Sequence, residues 1–187
     1  AEKLKDIDVQ VTMYDQLGSW YSDQPDFTKQ ENVDKFLKMD YFVDEIEEVR
    51  QKLGIDDFYL IGQSWGGAIT QEYALKYPKH LKGIIISSMT DNIAEYIVNI
   101  NKIREHEYSK EDLDFMKECE NSGDYDNERY QKLIDKLNCG YVDRKQPPAI
   151  SHLTSTVATS VYNYFQGDNE FVITGALDGW DIRNKIK

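Results

Sequence analysis

The sequence predicts an α/β protein: a parallel sheet with helices on both faces, and a mainly helical insertion set on it. Three observations lead there. Over residues 1–90 the apolar period alternates between two and about 3.6 residues, in the order strand, helix, strand, helix, strand. The two later apolar runs, DFYLIGQS and LKGIIISS, are short and nearly continuous, as strands buried in a parallel sheet are. From about Asp91 onward the chain turns acidic, tyrosine-rich and helix-like, with no further strand of that kind until the tail.

Each element follows from local pattern. Ile7, Val9, Val11 and Met13 alternate, so residues 7–15 read as a first strand ending near Asp15. QLGSWYSDQPD then supplies Gly, Ser, Asp and Pro for a loop. From Asn32 to Leu53 the period becomes helical. Phe42, Ile46, Val49 and Leu53 share one face, Asp44, Glu45, Glu47 and Glu48 are expected in water, and Gly54 supplies the stop. DFYLIGQS is the next strand. WGGAITQEYALKYP is a helix closed by Pro78, and LKGIIISS is a further strand. Beyond it NSGDYDN and DRKQPPA punctuate helices, and NEFVITGALDGWDIRNKIK holds a short β-prone run and a turn. The predicted organisation is a partial core over 1–90, a helical cap over 91–175, and a return toward the core over 176–187.

Composition narrows the function. The 187 residues suffice for one domain with a sizeable core, or a domain with an insertion. A net charge of −12 argues against nucleic acid, because phosphate binding needs clustered Lys and Arg. No apolar run approaches the roughly 20 residues of a membrane span, and AEKLKDID contains no signal-peptide core. Cys119 and Cys139 fit no metal spacing and read as free thiols. His80, His106 and His152 are scattered, so no metal is expected.

The informative stretch is Gly62-Gln63-Ser64-Trp65-Gly66, a G-x-S-x-G sequence. Average Gly and Ser usage would place that pattern by chance in roughly one chain in twenty of this length. Its context is far rarer, because it follows a buried strand and opens a helix. That is the geometry of a nucleophile elbow: a sharp turn that lifts the serine hydroxyl above a sheet. Gly62, Gly66 and Gly67 leave room for crowded backbone, and the Trp65 N–H at the helix start can stabilise an oxyanion. A phosphate loop is excluded, since no G-K-[ST] follows.

From that point a resemblance takes hold. MYDQLGSWYSDQPD, the stretch from Tyr41 to Ser88 and GDNEFVITGALDGWDI resemble successive blocks of the proline iminopeptidases of the α/β-hydrolase superfamily, which include the tricorn-interacting aminopeptidases. The resemblance is firm at the elbow and at NEF…TG…WDI, and loose through the acidic helices. It implies an α/β-hydrolase sheet with a helical cap inserted after the sixth strand. It also implies release of N-terminal residues, proline preferred, from short peptides through an acyl-enzyme, with no cofactor. Residue by residue, it makes Ser64 the nucleophile, Trp65 the oxyanion donor through its backbone N–H, and Glu170 a cap carboxylate for the substrate's free amine. Tyr162 matches a cap tyrosine of the pocket wall. A cytoplasmic location and short peptides with a free N-terminus as partners are implied as well.

Two departures accompany the resemblance. In the loop after the first strand the superfamily often reads D-x-x-G-x-G-x-S; here Asp15, Gly18 and Ser22 match, while Trp20 stands at the second glycine. No histidine or acid occupies the place after the cap where the triad order Ser, acid, His requires them, and no H-G-G-P-G loop precedes the first strand. The expectation is an internal piece of a longer enzyme, incomplete at both ends and poorly active alone. Two alternatives stay open: another capped α/β-hydrolase, such as an esterase or amidase, and a non-catalytic binding module of the same fold.

Overall fold

The computed structural model describes residues 9–142 and 157–186. At its centre β1 (Phe58–Gln63) and β2 (Leu81–Ser87) pair in parallel, with Leu60 opposite Ile84 and Gly62 opposite Ile86. Between them runs α3 (Trp65–Lys76), followed by one 3-10 turn at Pro78–His80. Strand, helix, parallel strand is the expected crossover unit. Alternation along β1 sends Phe58 and Leu60 to the side of Ile69 and Tyr73 of α3, where they join the main apolar cluster. The opposite face, with Tyr59, Ile61 and Ile85, is exposed, so among the described residues helices cover one face only.

Residues 9–15 correct the expected first strand. They carry no regular secondary structure and form no ladder among the described residues, and Val9, Val11 and Met13 are exposed. Alternation marks a chain able to be a strand, whereas a strand also needs a partner for its N–H and C=O groups. Ile7 lies outside the described residues.

The single helix expected over 32–53 is two: α1 (Gln30–Phe36) and α2 (Met39–Lys52). The break drops Leu37 into the core at 3% exposure, and Lys38 is extended there. Phe42, Val43 and Ile46 of α2 are buried. Gly54, at φ +64°, ends the helix, with its N–H on Gln51 O and that of Ile55 on Arg50 O. The expected outward row of carboxylates is only half outward. Asp44 and Glu48 face water, but Glu45 turns to accept Leu17 N–H at 2.9 Å, and Glu47 binds Arg50 and Tyr73.

Beyond β2 come α4 (Ile93–Glu107), α5 (Lys110–Ser122), α6 (Glu128–Leu137), a single π turn at Asn138–Val142, and α7 (Thr159–Phe165). Side chains of Asn92, Ser109 and Asn127 cap the starts of α4, α5 and α6, and Gly123 closes α5 in the left-handed conformation. These helices bury a second apolar cluster around Met116, Tyr130 and Leu137. The NSGDYDN loop thus sits where Gly123 and Asn127 place it, while DRKQPPA and His152 lie outside the described residues. The β-prone run of the tail forms one isolated bridge, Asn169 to Val172. The tail then returns to the start of α4: Asp181 bridges Asn92, and the Ile93 N–H donates to Trp180 O.

Candidate active site

Ser64 stands at the tip of β1, as the residue before α3. Its backbone has φ +51° and ψ −122°, a conformation that costs a non-glycine residue about 1–3 kcal/mol. Neighbours hold it there: the Ser64 N–H donates to Ser87 O, and the Ser64 carbonyl accepts from Gly67 N at 2.7 Å. The side chain is exposed above the sheet edge. The glycines divide the crowding unequally. A Cβ on Gly62 would lie 2.0 Å from Gly66 O, and one on Gly67 would lie 2.7 Å from Met89 Cβ. A Cβ on Gly66 would meet nothing within 4 Å, so its expected steric role is not observed; its carbonyl is what Gly62 makes room for.

The Trp65 N–H, first in α3, has no intrahelical acceptor and points where an anion is stabilised by the helix start. The Trp65 indole is fixed by Gln16 Oε1 at 3.2 Å and lies against Phe165, ring centres 4.3 Å apart. The loop behind it answers the departure at Trp20. That residue takes φ +33°, the positive value that a glycine adopts freely, and Gly18 takes +85°. Ser22 Oγ donates to the carbonyl of Asp15, which makes the Asp15 backbone a loop anchor.

A cavity of about 1180 Å³ opens over Ser64, bounded by the loop at 14–17, the elbow, α4 and α7. Ser64, Trp65, Tyr162 and Glu170 all line it, so residues separated by 106 positions of sequence, 64 to 170, face one space. Tyr162 of α7 donates to Glu170 Oε1 at 2.9 Å. Burial first, and the charge of Glu170 second, push the Tyr162 hydroxyl far above the usual phenol range, so it remains a neutral donor. Glu170 has no Lys or Arg in ion-pair distance among the described residues, and its Oε2 has no protein donor there. A half-buried carboxylate with one oxygen held by Tyr162 and the other without a donor among the described residues is suited to a cationic ligand group.

Tyr96 was not foreseen. It lines the same cavity from α4 and donates to the Glu170 carbonyl at 2.9 Å. Burial, then Glu170, push its hydroxyl up to about 12. Nothing in the sequence marked it, because the partner is 74 residues away.

No described histidine lines the cavity. His80 sits in the 3-10 turn after α3, and the His106 side chain is 81% exposed. Among the described residues Ser64 Oγ has no hydrogen-bonded base, and no cluster of His, Cys, Asp or Glu is placed to hold a metal ion. Cys119 is buried and Cys139 exposed, both free. No described helix is long and apolar enough to cross a membrane.

Comparison with known proteins agrees with this geometry. A family model described as alpha/beta hydrolase fold matches residues 1–104. The proline iminopeptidase of Flavobacterium johnsoniae is 35% identical over 180 residues, covering 92% of this chain and 58% of that protein. The one from Elizabethkingia meningoseptica is 37% identical with the same coverage. The chain therefore spans somewhat over half the length of these curated relatives. Among solved structures, the crystal structure of VinJ superposes with a TM-score of 0.80 at 23% identity, over 92% of this chain and 59% of the other. The proline iminopeptidase of Mycobacterium smegmatis gives 0.66 at 24%, over 81% and 52%. A strained serine between a parallel strand and a helix, a cavity over it lined by α4 and α7, and a family match that runs through the serine lead to one assignment: the chain belongs to the α/β-hydrolase family, and is similar over nearly its whole length to proline iminopeptidases.

Proposed function

We propose that these residues are part of a serine aminopeptidase that releases N-terminal residues, proline preferred, from short peptides. The observation that supports it best is the meeting of the Ser64 elbow and the Glu170–Tyr162 pair in one cavity. Ser64 Oγ attacks the first carbonyl carbon of the peptide. Its proton passes through a base to the leaving amine, and the oxyanion rests on the Trp65 N–H. Water then hydrolyses the ester. Glu170 receives the protonated N-terminus, so internal and blocked peptide bonds are excluded.

No described histidine lines the cavity to serve as the base. We propose that the intact protein supplies the base and its orienting acid from elsewhere and that these 187 residues alone turn over slowly, because a neutral serine hydroxyl is a weak nucleophile. The deciding experiment compares proline para-nitroanilide with its N-acetylated form on the intact protein. Hydrolysis of the free amine, abolished by Ser64→Ala and lost on acetylation, is expected. Equal turnover of both would make the protein a capped esterase or amidase instead. No turnover of either, with triad partners absent from the intact protein, would make it a binding module.

A further inference from the structure

We infer that Tyr96 and Asn169 are positioning residues that hold Glu170 at the substrate amine, with Tyr130 holding Asn169 in turn. The inference rests on the amine-binding reading of Glu170 given above. A carboxylate discriminates between a free and a blocked terminus only if its distance to the ligand is fixed; a displacement near 1 Å weakens such selection strongly. Glu170 lies on neither a helix nor a ladder. It follows α7 in a turn whose one regular feature is the bridge from Asn169 to Val172. Something else must hold it.

Three bonds do so. On the cavity side, Tyr96 Oη donates to the Glu170 carbonyl at 2.9 Å. On the residue before it, Asn169 Oδ1 accepts the Phe171 N–H at 2.9 Å, which pins the backbone on both sides of Glu170. Asn169 Nδ2 then donates to Tyr130 Oη at 3.1 Å. Tyr130 is fully buried in the second apolar cluster, and its hydroxyl donates to Glu120 Oε1 at 3.3 Å. Glu120 is in turn paired with Arg104 of α4 at 2.5 Å, both side chains at most 15% exposed. Phe171, at 5% exposure, is sunk in the same cluster. The turn is thus tied through Tyr96 to α4, and through Asn169 and Tyr130 to α6 and the buried Arg104–Glu120 pair. Its carboxylate projects into the cavity, where Tyr162 takes one oxygen. Tyr130 itself does not line the cavity, so it does not touch the substrate directly and acts on Glu170 through this chain of contacts.

The test uses the intact protein and reads one ratio: kcat/KM for proline para-nitroanilide over that for para-nitrophenyl acetate, an ester with no amine. Tyr96→Phe removes one hydroxyl and retains the ring. It is expected to lower the ratio about 2- to 10-fold, the span of one lost hydrogen bond, mainly through a higher KM for the amine substrate. Tyr130→Phe is expected to lower it in the same direction, despite its distance from the substrate. Glu170→Gln serves as reference. If it leaves the ratio unchanged, the amine reading fails and this inference fails with it. If Glu170→Gln collapses the ratio while Tyr96→Phe leaves it unchanged, only the inference is overturned. Equal losses on amide and ester also overturn it, since they describe general packing. Should Tyr130→Phe unfold the buried cluster, Tyr96→Phe still decides.

Discussion

Gly62 and Gly66 flank the same serine in the motif, yet they do different work. Gly62 presses against the Gly66 carbonyl so closely that any side chain collides with backbone that cannot move without unwinding the first turn of α3. Gly66 has open space at its Cβ position and lies within the helix. Gly62→Ala is therefore expected to destabilise the protein by about 3 kcal/mol or more. Gly66→Ala should range from neutral to about 1 kcal/mol stabilising, because alanine prefers helix. Chemical denaturation of the two variants checks this, and similar losses for both would show that the elbow is crowded at Gly66 too. At this scale the motif made Ser64 and Trp65 legible, and the family resemblance did the same for Glu170 and Tyr162. Tyr96, Asn169 and Tyr130 were not legible. The bonds that join this turn to the rest of the molecule, Tyr96 to Glu170 and Asn169 to Tyr130, span 74 and 39 residues, and no periodicity encodes such contacts.

Helix α2 shows how a surface-like pattern conceals a joint. Glu45 and Glu47 look like members of a solvated face, and a helical wheel sends them outward. Each is instead claimed by a neighbour whose position depends on the fold: Leu17 N–H for Glu45, and Tyr73 of α3, together with Arg50, for Glu47. Arg50 also reaches Ile55 O at 2.6 Å, which joins the end of α2 to the segment entering β1. The two carboxyls titrate in opposite directions. The Arg50 hydrogen bond above all holds Glu47 at about 2, below an ordinary 4.5, so its stabilisation is complete above about pH 4.5 and is lost as pH falls toward 2. Burial raises Glu45, so its ionisation opposes folding as pH rises through and beyond the ordinary carboxyl range. Glu47→Gln should therefore lose stability at neutral pH, with a deficit that shrinks between about pH 4.5 and 2. Glu45→Gln should show the reverse slope. Urea titrations at a series of pH values measure both, and a deficit for Glu47→Gln that is constant with pH would mean that its charge is not the source. Strand pairing, by contrast, was legible, because β1 and β2 are apolar enough to be buried and close enough to be joined by one helix. The split between α1 and α2 was not, since burial of Leu37 outweighs helical continuity.

For the molecule as a whole, the uneven cover of the sheet is the dominant feature. Parallel sheets are stable with both faces packed. Here α3 covers one face and α2 packs against α3 in the same apolar cluster. The other presents Tyr59, Ile61 and Ile85 at 63%, 59% and 51% exposure, with Ile61 directly opposite Ile85. The chain also spans only 58% of the Flavobacterium johnsoniae and Elizabethkingia meningoseptica relatives, so in a protein of their length further residues are available to pack there. Adjacent exposed apolar side chains on a strand pair favour association. The 187-residue chain in isolation is therefore expected to self-associate and to bind an apolar dye. Tyr59→Lys with Ile85→Lys should reduce both, because two charges on neighbouring strands of an exposed face repel a second sheet. The fold itself should be little affected, within about 0.5 kcal/mol per substitution, since neither side chain belongs to the packed cluster. Light scattering and dye fluorescence read the first effect, and denaturation the second. Association undiminished in the double variant would move the sticky surface elsewhere. Unfolding of the variant would show that this face is already packed against other parts of the chain.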